Sequence, residues 1–411
     1  MMRSRPATGA ANRAPMRRAT RVAATALALA LGLAAAAAQP APALPDGAPS
    51  GSAAPLRLIS RDVPAYAPGF SSGARHANDA DYRTKWRSSG VPTTLAYDLS
   101  EVPVAQRQRI LLAWYNDDSY GYDHALIGQP GYNNAGAYTI EIHRGEGGGR
   151  PPADGWVAVA SRSGNTRHSM EHVIDAAGAN WVRIRFTASD GSPRNADIAI
   201  KLDVYDAAAG VGDGWFFAGD SITANCMSHG DTGGEDADNP TSQTSIKAPP
   251  FGLQVEALAG TLPPQENAGM PGWTAADAAT TLAGWLADFP GRYVTLNFGT
   301  NDAAGGVSPG DFESRLAALV KIVQGAGKIA VIPTIPFARE PTHQRNIPAL
   351  NARIRALPSS LRGVIAGPDL WEYFRSNPRL VSSDGIHLNA QGCAAYRTLW
   401  AQHAAQQIYR R

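Results

Sequence analysis

The sequence predicts an antiparallel β-sandwich followed by an α/β domain whose parallel sheet is covered by helices on both faces. From Leu56 to about Tyr205, short runs alternate apolar and polar residues, and Gly, Asn and Asp clusters separate them. This period of two, with no helical period, is typical of a sandwich. From about Gly210, apolar strand-like runs alternate instead with helical patterns. That alternation predicts parallel strands joined by helical crossovers.

The N-terminus has the layout of a secretory signal. Residues 1–38 contain six arginines and no acid, then an apolar run over Val22–Ala37 and the small residues Ala36–Ala38. We therefore expect a secreted or periplasmic protein, with a retained anchor as the alternative, and no later segment is long enough to span a membrane. Residues 39–54 are rich in Pro, Ala and Gly and predict a linker.

Loss of the signal changes the charge of the chain. The whole chain carries 37 basic and 35 acidic residues, and removal of the six arginines leaves 31 against 35, a net charge of −4. This balance gives no indication of a nucleic-acid partner.

The predicted β-sandwich occupies residues 55–206. Its clearest strands are residues 94–99, 109–114, 138–142, 181–186 and 198–204. The run from Asn78 to Trp86, followed by Leu95–Leu99, resembles the opening of discoidin-type, galactose-binding-like jelly rolls. The resemblance implies a carbohydrate-binding or packing module.

A loop within this region combines aromatic residues with acids and amides. It spans residues 115–138 and includes Asp117, Asp118, Tyr120, Tyr122, Asp123, Tyr132, Asn133 and Asn134. Such side chains suit sugar faces and hydroxyls, or a calcium ion. The alternative is a solvated loop whose tyrosines cover the end of the sandwich.

The α/β domain is predicted over residues 210–411. Strands are expected at residues 215–218, 293–298, 329–332 and 364–366, and helices at 274–287, 308–324, 347–357 and 390–409. Thr274 and the Ser308-Pro309 pair carry the signals of helix starts. In open parallel sheets, active sites lie beyond the carboxyl ends of the strands. Ser221 and the Gly299–Asp302 segment both follow predicted strands.

Ser221, Asp384 and His387 are the residue types that nucleophilic acyl transfer requires. Ser221 lies in Gly219-Asp220-Ser221-Ile222-Thr223, a short turn after a buried strand, and Asp384-Gly385-Ile386-His387 stands far downstream. A serine needs a base within hydrogen-bond reach and a group that orients that base.

Four blocks in order resemble the SGNH or GDSL hydrolase family over about residues 210–411: the Ser221 block, Asn267–Thr274, Gly299–Asp302 and Asp384–His387. The resemblance implies a flavodoxin-like three-layer fold. It also implies a Ser221, Asp384 and His387 triad and an oxyanion hole built from Ser221 N–H, Gly272 N–H and the Asn301 side chain. Asp220 is implied to be a structural acid beside the nucleophile, and Asp302 to orient the Asn301 loop or to be solvated.

Other residues are open to two interpretations. Cys226 and Cys393 each follow a candidate catalytic residue, so they could form a disulfide or be two small buried side chains. Trp273 could stack on a sugar or pack in the core. The histidines show no paired metal spacing beyond His168 and His172, which lie in the β region where no helix is predicted, so no metal or other cofactor is expected.

The sequence therefore predicts a secreted carboxylic-ester hydrolase that acts through an acyl-enzyme, with an acetylated glycan or a small ester as its substrate. Glycan O-deacetylation is the preferred activity. A general short-chain esterase, lipase or thioesterase is one alternative, and a glycan-binding protein without catalysis is another.

Overall fold

The computed structural model describes residues 55–68, 73–116, 121–128, 131, 133–190, 197–230 and 248–409. The predicted signal (residues 1–38) and linker (39–54) lie outside these residues. So do Asp117, Asp118, Tyr120 and Tyr132 of the 115–138 loop.

Within the described residues of the N-terminal part, ten antiparallel strands form two sheets. They are β1 (Arg57–Leu58), β2 (Ala65–Tyr66), β3 (Trp86–Arg87), β4 (Thr93–Asp98), β5 (Arg109–Tyr115), β6 (Ala135–His143), β7 (Val157–Arg162), β8 (Ser169–Asp175), β9 (Trp181–Ser189) and β10 (Ala199–Asp206). One sheet has the order β1-β10-β5-β8, with β3 also paired to β10, and the other has the order β2-β4-β9-β6-β7.

A shared core lies between these two sheets. Leu95 and Tyr97 of β4 and Ile184 of β9 face Leu112 of β5 and Leu202 of β10 within one buried cluster. Alternate residues of each strand reach this cluster, as the period of two requires. The predicted sandwich of antiparallel strands is therefore present, and its assignment as a jelly roll stays a prediction.

The C-terminal part alternates strands with helices. Its elements are β11 (Trp215–Gly219), α1 (Ser221–Cys226), α2 (Phe251–Ala259), β12 (Gln265–Gly269), α3 (Ala275–Asp288), β13 (Tyr293–Asn297), α4 (Thr300–Ala304), α5 (Pro309–Gly325), β14 (Ile329–Ile332), α6 (Pro341–Ser360), β15 (Val364–Ala366), α7 (Leu370–Ser376) and α8 (Ala390–Gln407).

All five strands of this sheet are parallel, in the order β12-β11-β13-β14-β15. This is the flavodoxin-like order, in which the direction of strand addition reverses between the first and third strands. Phe216 of β11 enters the cluster formed with α3, α5 and α6, and its neighbours Trp215 and Phe217 enter the cluster formed with α2, α7 and α8. The sheet is therefore covered on both faces, as predicted.

Several boundaries differ from the prediction. The helix expected at residues 347–357 begins at Pro341, because Glu340 caps it by accepting the backbone N–H of His343, and it continues past Pro348 and Pro358. Strand β12 was not predicted, because its sequence Gln-Glu-Asn-Ala-Gly is polar although every residue is buried. Thr274 and Ser308 do cap α3 and α5, as expected.

The sandwich and the α/β part pack against each other within one compact unit. The Leu56 N–H donates to Asp213 at 3.2 Å, and Arg61 pairs with Glu256 of α2 at 3.5 Å. Across the described residues, no helix combines the length and apolarity that a membrane crossing needs.

Candidate active site

Ser221 lies at the first position of α1, directly beyond the carboxyl end of β11. The turn is tight, because a Cβ built on Gly219 would lie 2.1 Å from the Thr223 hydroxyl. Asp220, not Ser221, caps the helix by accepting the N–H of Ile222 at 3.0 Å. The Ser221 hydroxyl is thus not used as a helix cap.

The hydroxyl of Ser221 meets the imidazole of His387, with 2.8 Å between Oγ and Nε2. On the other side of the ring, 2.6 Å separates Nδ1 of His387 from Oδ2 of Asp384. These three residues, predicted as a triad from two motifs more than 160 positions apart, therefore lie in one hydrogen-bonded row. The row has the nucleophile, base and orienting acid arrangement of serine hydrolases.

The Asp384 carboxylate is held by several donors. Its Oδ1 accepts the hydroxyl of Ser382 at 2.7 Å and the backbone N–H groups of Ile386 and His387 at 2.8 and 3.0 Å. Burial alone would raise the pKa of Asp384, but the hydrogen bonds from His387, Ile386 and Ser382 outweigh it and hold the pKa well below its usual range. The acid therefore stays ionised and able to stabilise an imidazolium.

A disulfide joins the two halves of this row. Cys226, the last residue of α1, is bonded to Cys393 in the first turn of α8, with 4.5 Å between the Cα atoms. Helix α1 begins with Ser221 and α8 follows His387. Of the two interpretations of the cysteines, the bonded one is therefore confirmed.

Asp220 is a buried acid next to the nucleophile. Burial raises its pKa to about 6, against the opposing effects of the Ile222 N–H and of His387. Its geometry is that of a helix cap, as the structural role expected for it requires.

Gly272 and Asn301 lie in the segments that follow the neighbouring strands β12 and β13. Gly272 has a positive φ of 78°, which favours glycine at this position. Among the described residues, no acceptor takes the N–H of Gly272 or of Ser221. The Asn301 amide donates to the Trp273 carbonyl at 2.9 Å, so its segment and the Gly272 segment are hydrogen-bonded to each other.

Asp302 also links the Gly272 and Asn301 segments by hydrogen bonds. It is fully buried and accepts the N–H of Ala275 and a guanidinium N–H of Arg315, each at 3.0 Å. Asp302 is therefore buried rather than solvated, and its role in orienting the Asn301 loop stays a prediction.

Trp273 is half-buried, and its indole stacks on Trp285 of α3 with 5.4 Å between ring centroids and 8° between planes. It therefore packs on the core, and its role in substrate binding stays a prediction. No group of three or more His, Cys, Asp or Glu residues within the described part of the chain has a geometry that could hold a metal.

The decisive comparison covers this same region. Residues 217–395 match the GDSL-like Lipase/Acylhydrolase family. The C-terminal part of the chain therefore contains a region, residues 217–395, that matches GDSL-like lipases and acylhydrolases. It contains Ser221 and Cys393 near its two ends, and Asp384 and His387 between them.

Solved structures similar to the chain include a Bacillus subtilis protein (13% identity, 86% of this chain, 90% of that chain, TM-score 0.41). A lipase/acylhydrolase from Enterococcus faecalis is 21% identical over 47% of this chain and 95% of that chain, with a TM-score of 0.37. The acetylxylan esterase Axe2 from Geobacillus stearothermophilus is 18% identical over 48% and 95%, with a TM-score of 0.36. These TM-scores, all below 0.5, give no support to a functional assignment. Comparison with curated proteins gave no match.

One residue that contacts the strand before Gly272 was not predicted to lie there. Tyr122 belongs to the 115–138 loop of the sandwich, where it was expected to bind sugar or to cover the sandwich end. In the structure its backbone N–H donates to the carbonyl of Gly269, three positions before Gly272. No sequence pattern could locate this contact, because it joins residues 147 positions apart.

Proposed function

We propose that this protein is a serine ester hydrolase that works through an acyl-enzyme. The observation that carries the proposal is the hydrogen-bonded row from Ser221 through His387 to Asp384, with distances of 2.8 and 2.6 Å. Its position beyond the carboxyl ends of β11 and β13, at the reversal in strand order, is where α/β sheets place their ligands.

In the first half of the proposed reaction, Ser221 Oγ attacks the ester carbonyl carbon while His387 Nε2 takes the hydroxyl proton. The tetrahedral intermediate collapses by breaking the bond to the alcohol oxygen, which leaves with the proton from His387. The acyl group remains on Ser221. Asp384, kept ionised by its donors, stabilises the imidazolium that forms in each transfer.

In the second half, a water molecule attacks the acyl-enzyme and gives one proton to His387. Collapse of the second intermediate releases the carboxylic acid and returns the proton to Ser221. In both intermediates the negative oxygen needs fixed donors, and we assign the N–H groups of Ser221 and Gly272 and the Asn301 amide to this role. Within the part of the chain that the structure describes, these two N–H groups have no protein acceptor, which supports the assignment.

We assign O-acetyl groups on a glycan as the substrate class. The predicted secretory signal supports an extracellular polymer as the target, and the β-sandwich packed beside the catalytic part supports an extended ligand.

The test compares acetate release from acetylated polysaccharides with hydrolysis of p-nitrophenyl acetate and p-nitrophenyl octanoate. Ser221→Ala is the inactive variant, and Ser314→Ala, which removes an exposed hydroxyl bonded to Gly310 within α5, is the matched control. We expect hydrolysis of acetyl esters by the unmodified chain and by Ser314→Ala, and a loss of at least about 10⁴-fold in Ser221→Ala.

Undiminished hydrolysis in Ser221→Ala would refute the serine mechanism. Preference for the octanoate would indicate a lipase instead of a deacetylase. Activity on small acetyl esters but not on the polysaccharides would indicate a general short-chain esterase. Glycan binding with no turnover of any ester would favour the non-catalytic binding protein.

A further inference from the structure

The sandwich reaches into the catalytic part through the segment 121–128, which follows β5. Tyr122 from this segment is 1% exposed, yet its ring lies in the core of the α/β part and not in that of the sandwich. It makes edge-on contacts with Phe216 of β11 and Trp285 of α3, with ring centroids 5.5 and 5.0 Å apart.

The segment binds the strand that leads to Gly272. The Tyr122 N–H donates to the Gly269 carbonyl at 3.0 Å, and the Tyr122 hydroxyl donates to Glu266 on the same strand. The next N–H, from Asp123, points to the sulfur of Met270 at 3.5 Å. A Cβ built on Gly121 would lie 3.1 Å from Pro271, so the backbone here is in close contact with the residue before Gly272.

Gly269 is held from the opposite side by the nucleophile segment. A Cβ on Gly269 would lie 2.2 Å from the backbone nitrogen of Ala224 in α1, and the N–H of Met270 donates to the carbonyl of Gly219 at 2.8 Å. The Gly269–Pro271 backbone therefore lies between the segment that carries Ser221 and the loop from the sandwich.

The ring of Tyr122 also supports the other side of the proposed oxyanion hole. Trp285, which it contacts, stacks on Trp273. The Trp273 carbonyl in turn accepts the Asn301 amide. A shift of Tyr122 would thus displace Gly272 through the backbone of its segment, and it would displace Asn301 through Trp285 and Trp273.

We propose that Tyr122 is a positioning residue for ester hydrolysis, and that the β-sandwich is needed to fix the oxyanion-binding groups. The inference rests on the proposed function. Misplacement of a catalytic group by about 1 Å can cost about 10²-fold in rate. We therefore expect Tyr122→Leu, which removes the ring and the hydroxyl, to lower kcat by about tenfold or more with KM within about twofold.

The test uses p-nitrophenyl acetate and the full chain. Tyr122→Phe keeps the ring and should retain kcat within about threefold, which would assign the effect to the ring. Tyr82→Leu is the matched control, because Tyr82 is another buried tyrosine at the contact between the two parts, with its hydroxyl 2.8 Å from Asp203 and its ring near Leu262. It should leave kcat within about twofold, since the contacts of Tyr82 among the described residues include Asp203, Tyr115 and the Leu262 cluster but not the Gly269–Gly272 segment.

A second readout separates positioning from a general loss of structure. Phenylboronic acid forms a tetrahedral adduct on a catalytic serine and so reports on the oxyanion donors. Its Ki should rise in Tyr122→Leu by about the factor by which kcat falls, and stay constant in Tyr82→Leu. If Tyr122→Leu does not fold, Ile127→Ala, a half-buried change in the same loop, should lower kcat by about threefold with the same rise in Ki.

Unchanged kcat and Ki in a folded Tyr122→Leu, or equal losses in Tyr82→Leu, would overturn the inference while Ser221→Ala remained inactive. Full activity of Ser221→Ala would instead refute the proposed function itself. The two failures are therefore distinguishable.

Discussion

The carboxylate of Asp302 accepts the backbone N–H of Ala275 at 3.0 Å, and so joins the first turn of α3 to the segment after β13. Ala275 lies three residues beyond Gly272, and Asp302 directly follows Asn301. One buried side chain therefore sets the spacing between two of the groups that we assign to the oxyanion hole.

Asp302→Ala should lower both stability and kcat. The change removes the acceptor of the half-exposed Arg315 guanidinium and leaves the buried Ala275 N–H without an acceptor, and the unpaired buried group costs about 1–3 kcal/mol. We expect a kcat loss of about tenfold, because Gly272 and Asn301 lose their common support. Urea unfolding and kcat on p-nitrophenyl acetate measure the two effects. Asp311→Ala, at the exposed start of α5, should change neither by much, and equal effects of both variants would contradict the role of Asp302.

Asn301→Ala tests the oxyanion assignment. Loss of one oxyanion donor typically lowers kcat by about 10²–10³-fold, and the substrate KM should change little. The control is Asn346→Ala, which removes a similar amide that donates to Ala303 at 2.8 Å in the same region. Steady-state kinetics with a loss below about threefold for Asn301→Ala would remove this residue from the proposed oxyanion hole.

Stability should fall as pH rises through neutrality, because Glu266 is buried on β12. Burial raises the pKa of Glu266 to about 7, despite the Tyr122 hydroxyl and the Arg167 charge, while Asp288 acts in the same direction as burial and Lys328 against it. The folded state thus binds more protons than the unfolded state above pH 4.5, so stability decreases from there through about pH 7.

Glu266→Gln should remove this dependence. Between pH 5 and pH 8, we expect the unmodified chain to lose about 1–3 kcal/mol more unfolding free energy than Glu266→Gln, as urea titrations would show. Asp220 remains in both proteins. Burial and the charge of Glu266 both raise the pKa of Glu171, so the difference reports on Glu266 together with its effect on Glu171. Parallel pH profiles for the two proteins would contradict an ionisable buried Glu266.

The bond between Cys226 and Cys393 closes a loop of 167 residues. Cross-links of this kind typically stabilise a protein by about 2–4 kcal/mol. A reductant should therefore lower the Tm of the unmodified chain. The Cys226→Ala/Cys393→Ala double variant should have a Tm below that of the oxidised unmodified chain, and a reductant should not change it. A Tm that responds to reductant in the double variant would show that the effect has another origin.

The sequence was sufficient for the parts of the fold that local patterns control. Strand β11, with its apolar run, and helix α3, with Thr274 as its cap, were both predicted close to their observed bounds. The Ser221 and His387 motifs were found for a related reason, since each is a short block of residues with a chemical requirement for its spacing.

The hydrogen bonds that buried polar side chains make to residues distant in the sequence could not be predicted. Gln265 lies buried in β12 because its amide donates to the Met227 carbonyl at 3.0 Å and its carbonyl oxygen accepts the N–H of Gly252. Arg397 is likewise fully buried on α8, where it donates to the carbonyls of Cys226, Gly230 and Ala248. Such residues look like surface residues until the tertiary structure supplies their partners.

The location of Tyr122 in the core of the neighbouring fold also limits how this protein can be recombined. A division of the sequence near residue 210 separates two complete patterns of secondary structure. The hydrophobic core around Phe216 and Trp285 nevertheless contains the ring of Tyr122, which lies before that division. A foreign sandwich spliced ahead of this hydrolase would leave a ring-sized hole beside Gly269 unless it brought its own aromatic side chain to that place. The two parts must therefore be exchanged together, although each has the secondary-structure pattern of a separate domain in the sequence.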